Sequence, residues 1–297
     1  MKHLVVFSAD LHGNEVQYAK LVDFAKSISA HSLVIGGDIT PKKGDIKQFV
    51  HMQRTFLSER LPKLLLPFKK ELPDSQIYLM MGNDDCACNL DVLEEYDDEL
   101  FHLIHGRRLK ITEDFDIVGY SFVPVTPFIL KDWDKFDLSE APPAFAAEYA
   151  KIKRWNYRLY GVKSTLTGLR KFHLTESTEK EDSIQKDLNK SLFTEKPEKT
   201  VYVTHTPPNN TNLDQLYDGS HVGSMAISLL IQEYQPYLTL HGHIHRTVAL
   251  SGDFREVIGN SLSLSAGNDD FANYVPNDLS LLVFDLYDLK SVARQIV

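Results

Sequence analysis

Short apolar runs alternate with longer segments of helical periodicity in the first third of the chain, and this alternation restricts the fold most strongly. Residues 4–7, 32–35 and 77–80 are typical of buried strands. Between the first two runs the apolar residues recur at helical spacing, and Asn14 is placed to cap a helix there. Residues 46–65 show the same spacing before the third run. Strands alternating with helices predict an α/β fold in which helices pack on a sheet.

The rest of the chain predicts an insertion followed by a return to strands. Residues 131–199 are rich in charge and carry helix-like patterns around 145–160 and 182–192, so we predict a helical cap inserted at about 131–199. Strand patterns resume at 200–204, and short strand patterns near the C-terminus indicate antiparallel pairing. No Gly/Ser-rich or Pro-rich linker divides the sequence, which predicts a single domain over 1–297.

Composition and charge exclude several classes of protein. Hydrophobic residues make up 43% of the chain, an ordinary value for a globular protein with a sizeable core. The 32 basic and 41 acidic residues give a net charge of −9, which argues against nucleic acid as a partner. No apolar run approaches the roughly 18 residues of a membrane span, and the N-terminal run is too short for a signal peptide. We therefore predict no membrane partner and a cytoplasmic location, while nothing in the chain indicates an oligomeric state.

Polar side chains follow five of the predicted strands, at the point where each strand ends. These strand ends carry Asp10 and His12, then Asp38, then Asn83, Asp84 and Asp85, then His205, and finally His241, His243 and His245. Because the carboxyl ends of strands in a sheet converge on one edge, we expect these side chains to surround a common point. Glycines precede several of them, which would let the backbone come close to a bound ion.

Carboxylates and imidazoles in this number predict a metal centre. Such donors bind borderline divalent ions, namely Mn, Fe, Zn, Ni or Co. Six or more donors imply two ions, and an aspartate with two oxygens can bridge ions about 3.5–4 Å apart. Ion pairs of this kind typically hold a hydroxide that attacks an ester in line. The residue types therefore indicate ester hydrolysis at a centre of two divalent ions.

The order of these residues resembles the motifs of a known family. The matching segments are Asp10-x-His12, Gly37-Asp38, Gly82-Asn83, Thr204-His205 and Gly242-His243-x-His245. They look like the five ordered motifs of the calcineurin-like metallophosphoesterase superfamily. Each motif alone is a common turn or cap, but five in the expected order, each after a strand, point to that superfamily. The resemblance implies a four-layer α/β/β/α sandwich of two mixed sheets flanked by helices.

The resemblance also implies a role for each motif residue. The ligands of one ion would be Asp10, His12 and His245, and those of the other Asn83, His205 and His243, with Asp38 bridging the two. Asp38 and the ions would hold the attacking hydroxide, and Asn83 would help to stabilise charge on the phosphoryl oxygens. His241 has no role in the family pattern and is expected to be a strand residue or a partner of a ligand.

Asp84 departs from the family pattern, which usually has a histidine at this position. That histidine is thought to contact the phosphate and to protonate the leaving oxygen. A carboxylate beside two dications should have a lowered pKa and stay ionised, so it would be a poor general acid and would repel phosphate. Proton delivery would pass to another residue or to water, or the leaving group would need little help, or activity would be weak or absent. One candidate substitute is His221, which with Ser220 or Ser224 and the amides of the following helix would hold a phosphate.

These observations lead to one principal prediction and two alternatives. We predict a metal-dependent phosphoesterase that hydrolyses a phosphodiester or a small phosphorylated molecule, including nucleotide-like ones, through a metal-bridging hydroxide. A diester is favoured because an anionic Asp84 disfavours a dianionic monoester more strongly. The first alternative is a non-catalytic scaffold of the same fold, which Asp84 would explain but which has no need for costly buried ligands. The second is a phosphomonoesterase or a Ser/Thr phosphoprotein phosphatase.

Overall fold

The structure is a computed structural model that describes residues 2–42, 44–268 and 277–297. Its strands are β1 (Leu4–Ser8), β2 (Ser32–Gly36), β3 (Gln76–Met80), β4 (His102–Leu103), β5 (Arg108–Lys110), β6 (Asp116–Tyr120), β7 (Val123–Pro124), β8 (Asp134–Lys135), β9 (Tyr160–Thr165), β10 (Gly168–His173), β11 (Thr200–Thr204), β12 (Leu238–His241), β13 (Arg255–Ile258), β14 (Ser261–Ser265), β15 (Ser280–Asp285) and β16 (Asp288–Ile296). Its helices are α1 (Glu15–Ser27), α2 (Ile46–Thr55), α3 (Leu61–Glu71), α4 (Leu90–Glu94), α5 (Ala146–Asn156), α6 (Glu176–Glu181), α7 (Ile184–Leu188), α8 (Ser191–Thr194), α9 (Met225–Tyr234) and α10 (Thr247–Ser251). In the described part of the chain no helix is long and apolar enough to cross a lipid bilayer.

The first six-stranded sheet contains the three strands that the N-terminal pattern predicts. Its order is β16-β15-β1-β2-β3-β4. Strands β1 to β4 are parallel, and β15 and β16 are added antiparallel at one edge. Helix α1 follows β1 and begins after Asn14, whose side chain accepts hydrogen bonds from the backbone N–H groups of Val16 and Gln17. The predicted cap is therefore confirmed.

The second six-stranded sheet has a matching design. Its order is β13-β14-β12-β11-β6-β5. The four inner strands are parallel, and β5 and β13 run antiparallel at the two edges. The antiparallel pairing predicted for the C-terminal part is confirmed for β15 with β16. Strand β14 pairs antiparallel with β13, a strand that the pattern did not predict, and parallel with β12. The C-terminal strands thus complete both sheets rather than form a separate unit.

The two sheets pack face to face with helices outside each of them. Along β1 the side chains alternate, so Val6 packs in a cluster with α1 and α3 while Phe7 packs in the cluster between the sheets, together with Val203 of β11. On the same strand β11, Tyr202 points the other way, into a cluster with Ile227 of α9. The predicted four-layer α/β/β/α sandwich is therefore confirmed.

Residues 131–199 contain the predicted helices and a hairpin that the pattern did not predict. Helices α5 to α8 lie in this region, and β9 and β10 form a separate antiparallel pair. The side chains of this hairpin are half-buried or exposed on both strands, so no apolar run marks it in the sequence. Val162 and Leu169 attach it to the buried cluster of Val50 and Cys86. That these residues form an inserted cap stays a prediction.

Candidate metal centre

Five loops that follow parallel strands meet at one place. Three follow β1, β2 and β3 of the first sheet, and two follow β11 and β12 of the second. Backbone hydrogen bonds join them: the N–H of Asp10 donates to the carbonyl oxygen of Gly37 at 3.0 Å, and that of Gly242 to His205 at 2.9 Å. The expectation of a single sheet edge is thus corrected, because the strand ends of two packed sheets surround the point.

The backbone is strained at four of the predicted ligands. The φ angles are 60° at Asp10, 44° at His12, 52° at Asp38 and 68° at His243. Residues with a side chain rarely adopt a positive φ, and such strain persists only where the surrounding structure imposes it, often at functional sites. Its concentration here marks these loops as the candidate site.

Two glycines allow the loops to approach closely. A Cβ atom on Gly82 would lie 2.3 Å from Oδ1 of Asp38 and 2.6 Å from Nε2 of His205. A Cβ on Gly37, where φ is 104°, would lie 2.5 Å from Nδ1 of His205. Only glycine at these positions leaves Asp38 and His205 where they are.

A first group of four donors is formed by Asp10, His12, Asp38 and His245. One ligand atom from each lies within 4.8 Å of all the others. The Nε2 atoms of His12 and His245 face each other at 3.2 Å, and Nε2 of His12 lies 3.8 Å from Oδ2 of Asp38. Two imidazole nitrogens that face each other share at most one hydrogen bond, whereas both can bind one ion together with the carboxylates. The donors therefore fit a divalent metal ion.

A second group lies on the other side of Asp38. The Oδ1 atom of Asn83 lies 3.1 Å from Nε2 of His205 and 2.6 Å from Nδ1 of His243. Oδ1 of Asp38 lies 3.4 Å from the same nitrogen of His205. The other ring nitrogen of His205 is bonded to the carbonyl oxygen of Gly36 at 2.8 Å, which directs Nε2 into the site.

The protonation states of the site follow from burial and from its carboxylates. Burial lowers the pKa of His12 and of His243 to about 3, so these rings are neutral and keep a lone pair for a metal. Burial opposes protonation of His205 as well, but Asp38 and Asp10 raise its pKa to about 9. Burial would raise the pKa of Asp38, yet His205 and His12 hold it well below its usual range. The carboxylates therefore favour a proton on His205, and a metal bound there would release it.

The geometry agrees with the comparison to known sequences. The sequence profile of the calcineurin-like phosphoesterases matches residues 3–247. The chain belongs to the calcineurin-like phosphoesterase family. A search of curated protein sequences found no significant match.

Solved structures share the fold of this chain. It superposes on TT1561 of Thermus thermophilus with a TM-score of 0.52 at 13% identity, covering 99% of both chains. It superposes on a dimetal phosphatase from Danio rerio with a TM-score of 0.50 at 13% identity, covering 95% of this chain and 91% of the other. At such identities the likeness concerns the fold alone.

Asp85 joins two of the loops that carry the candidate ligands. Asp85 is fully buried and accepts hydrogen bonds from the N–H groups of Gly82, Ile39 and Thr40 and from the Thr40 hydroxyl. Burial and the neighbouring Asp38 raise the pKa of Asp85 to about 7, although four donors favour its ionised form.

His241 ends β12, contacts Thr204 through Nδ1 at 2.9 Å and Thr239 through Nε2 at 2.7 Å. Burial lowers its pKa to about 4, so it is neutral. Both ring nitrogens have partners within the sheet. Of the two roles expected for His241, strand residue or partner of a ligand, the structure shows the first.

Asp84 has a cationic partner that the sequence analysis missed. Its Oδ2 atom accepts a hydrogen bond from Nζ of Lys42 at 3.1 Å and lies 4.0 Å from Nδ1 of His12. Burial and the charge of Asp38 raise the pKa of Asp84 to about 6, whereas bound ions were expected to lower it. The only signal in the sequence is that Lys42 closely follows the Gly37-Asp38 motif.

His221 is bonded to a residue of its own loop. Its Nδ1 atom lies 2.7 Å from Oδ1 of the buried Asp214. The same loop is attached near the centre, because the N–H of Gln215 donates to the hydroxyl of Thr247, two residues after His245, at 3.1 Å. Among the described residues no hydrogen bond or ion pair joins His221 to a predicted ligand. Its catalytic role stays a prediction.

The predicted phosphate site at the start of α9 is wrong. The hydroxyl of Ser224 donates to Oδ1 of Asp137 at 2.5 Å, and the N–H of Met225 donates to Oδ2 of the same carboxylate at 2.6 Å. Asp137 is buried and thus already supplies the negative charge that this helix N-terminus favours. The hydroxyl of Ser220 is bonded to Asp218 at 2.5 Å.

Proposed function

We propose that this phosphoesterase hydrolyses a phosphodiester or a small phosphorylated molecule at a centre of two divalent ions, drawn from Mn, Fe, Zn, Ni and Co. The observation that supports two ions is the position of Asp38, whose Oδ2 faces His12 at 3.8 Å while Oδ1 faces His205 at 3.4 Å. The residues that would hold the ions are Asp10, His12, Asp38, Asn83, His205, His243 and His245. Bound ions would lower the pKa of the attacking water and neutralise charge on the phosphoryl oxygens.

The chain's own residues orient these donors. The N–H of Asp84 donates to Oδ1 of Asp38 at 2.8 Å, and the N–H of His243 donates to Oδ1 of Asp10 at 3.0 Å. The side-chain amide of Asn83 donates to Oδ1 of Asp84 at 3.2 Å, which leaves its own Oδ1 directed at the two histidines. Donors held in place before substrate binds need no reorganisation during the reaction.

The pairing of Asp84 with Lys42 bears on the alternatives. The scaffold hypothesis was motivated by Asp84, which would be a poor general acid and would repel phosphate. The ammonium of Lys42, 3.1 Å from Asp84, opposes that repulsion. Hydrolysis of a diester rather than a monoester, a nucleotide-like substrate and a cytoplasmic location stay predictions. A phosphomonoesterase or phosphoprotein phosphatase is distinguished by the assay below.

The test combines metal analysis with hydrolysis of bis-p-nitrophenyl phosphate and p-nitrophenyl phosphate in the presence of Mn²⁺. We expect about two ions per chain and faster turnover of the diester. Mutating a hydrogen-bond partner of a metal ligand typically lowers metal affinity or activity by roughly 10- to 100-fold. Asp38→Asn changes a proposed ligand itself, so its losses of bound metal and of activity should be larger. Asp74→Asn, at an exposed position, is the matched control. Normal turnover by a folded Asp38→Asn protein would refute the mechanism, and a metal-loaded wild type inert to both esters would favour the scaffold.

A further inference from the structure

Lys42 stands beside the candidate metal centre and has no role in the mechanism described so far. It lies in the loop after β2, four residues beyond Asp38. Its ammonium contacts Asp84, whose own N–H is bonded to Asp38. The side chain is 23% exposed, so it reaches both this carboxylate and the solvent from which a substrate arrives.

The fold holds the two loops that carry Lys42 and Asp84 together. The buried side-chain amide of Gln53 donates to the carbonyl oxygen of Pro41 at 3.2 Å and to that of Asp84 at 2.8 Å. Pro41 is packed so tightly that a Cβ on Gly13 would lie 2.3 Å from its Cγ. These contacts hold the backbone next to Lys42 beside the loop of Asp84, so the two side chains start from neighbouring positions.

The charges of Asp84 and Lys42 affect how an anionic substrate can bind. Asp84 is not among the predicted ligands, so bound ions would leave its carboxylate facing an incoming phosphate. The ammonium of Lys42 cancels that charge. An ammonium has three N–H donors, so a bond to Asp84 is compatible with a further bond to a phosphoryl oxygen.

We propose that Lys42 contacts the phosphoryl group of the substrate. Asp84 is the positioning residue that holds the ammonium. The ligand class is a phosphate ester, and inorganic phosphate is its simplest member. The catalytic meaning of this contact rests on the proposed function, but binding of phosphate is measurable without turnover.

The experiment is calorimetric titration of inorganic phosphate into the Mn²⁺-loaded full chain. Lys42→Ala should weaken the phosphate Kd by about tenfold or more, the usual effect of losing a charge-assisted hydrogen bond. Lys42→Arg keeps the charge and should recover most of the affinity. Lys47→Ala removes an exposed lysine nearby on the chain and should change nothing. Manganese content is measured for every variant.

Two outcomes would overturn the proposal. One is a Lys42→Ala protein with normal manganese content and a phosphate Kd within about twofold of the wild type. The other is a loss of affinity that is accompanied by an equal loss of manganese, because Lys42 would then act through the metal centre. A wild type that turns over neither ester, yet binds phosphate in a manner dependent on Lys42, would refute the proposed function and leave the Lys42 site standing.

The positioning role of Asp84 is tested in two backgrounds. In Lys42→Ala, the further change Asp84→Ala removes an unpaired negative charge and should strengthen phosphate binding. In the protein that keeps Lys42, the same change removes both the repulsion and the anchor of the ammonium, so its net effect should be smaller or of opposite sign. Equal effects in both backgrounds would show that Asp84 acts independently of Lys42.

Discussion

Replacing Asp85 tests whether one buried carboxylate holds the loops of the metal centre in place. Its Oδ2 accepts from the N–H of Gly82 at 2.8 Å and of Ile39 at 3.0 Å, and its Oδ1 accepts from the N–H of Thr40 at 2.9 Å. The hydroxyl of Thr40 donates to the same Oδ1. The carboxylate thus joins the loop after β2, which carries Asp38, to the loop after β3.

The expected loss in the free energy of unfolding is estimated from the hydrogen-bond donors that the substitution leaves without a partner. In Asp85→Ala three backbone N–H groups lose their acceptor, and each costs about 1–3 kcal/mol when buried. We therefore expect the free energy of unfolding to fall by about 3 kcal/mol or more. Asp85→Asn keeps the shape and one acceptor oxygen but directs an NH₂ group at existing donors, so its cost should be smaller, about 1–3 kcal/mol.

Urea denaturation measures both variants, with a shift of the midpoint at constant slope as the expected result. Manganese content is the second readout, because displacement of the loop moves Asp38. Asp74→Asn serves as the control, since Asp74 is exposed. A stability of Asp85→Ala within about 0.5 kcal/mol of the wild type would refute the reasoning.

Two further predictions concern groups away from the candidate metal centre. Asp137→Ala leaves Ser224 and the first amides of α9 without their acceptor and should lower the free energy of unfolding by about 2 kcal/mol, measured in urea, with unchanged phosphate affinity. A change of phosphate affinity in either direction would contradict the assignment of this terminus. His105 accepts a hydrogen bond from the N–H of Ser121 at 2.9 Å, and burial lowers its pKa to about 4. Since the unfolded chain protonates this residue below about pH 6.5, stability should rise between pH 4 and 6.5 by up to about 3 kcal/mol. Denaturation curves of His105→Asn should show a smaller rise, and an equal rise would count against the prediction.

The strands and the first helix could be predicted because their signals are local. β1, β2 and β3 are short apolar runs that end in polar turns, and Asn14 caps α1 from three residues away. The hairpin of β9 and β10 could not be predicted in the same way. Its two strands are half-exposed, so the pattern of buried and exposed residues that marks a strand is missing.

In the candidate site, too, the local features could be predicted and the contacts between distant segments could not. The candidate ligands could be predicted because each stands a few residues after the end of a strand and their types are those that bind divalent ions. The phosphate site at α9 was predicted wrongly because the helix start shows no sign of Asp137, which lies 88 positions earlier in the chain. Local sequence indicates that a terminus favours an anion, but it does not indicate which anion is present.

The sequence by itself determined the family, the positions of the first three strands and the seven residues proposed to bind metal. Only the tertiary structure decided that the strand ends of two sheets share one site, and that Lys42 faces Asp84 across 42 positions of chain. The reason is that periodicity and turn residues act over a few positions, whereas contacts between loops depend on how the sheets pack. The polar residues at the strand ends are therefore visible in the sequence, but their neighbours in the site are set by the packing of the two sheets.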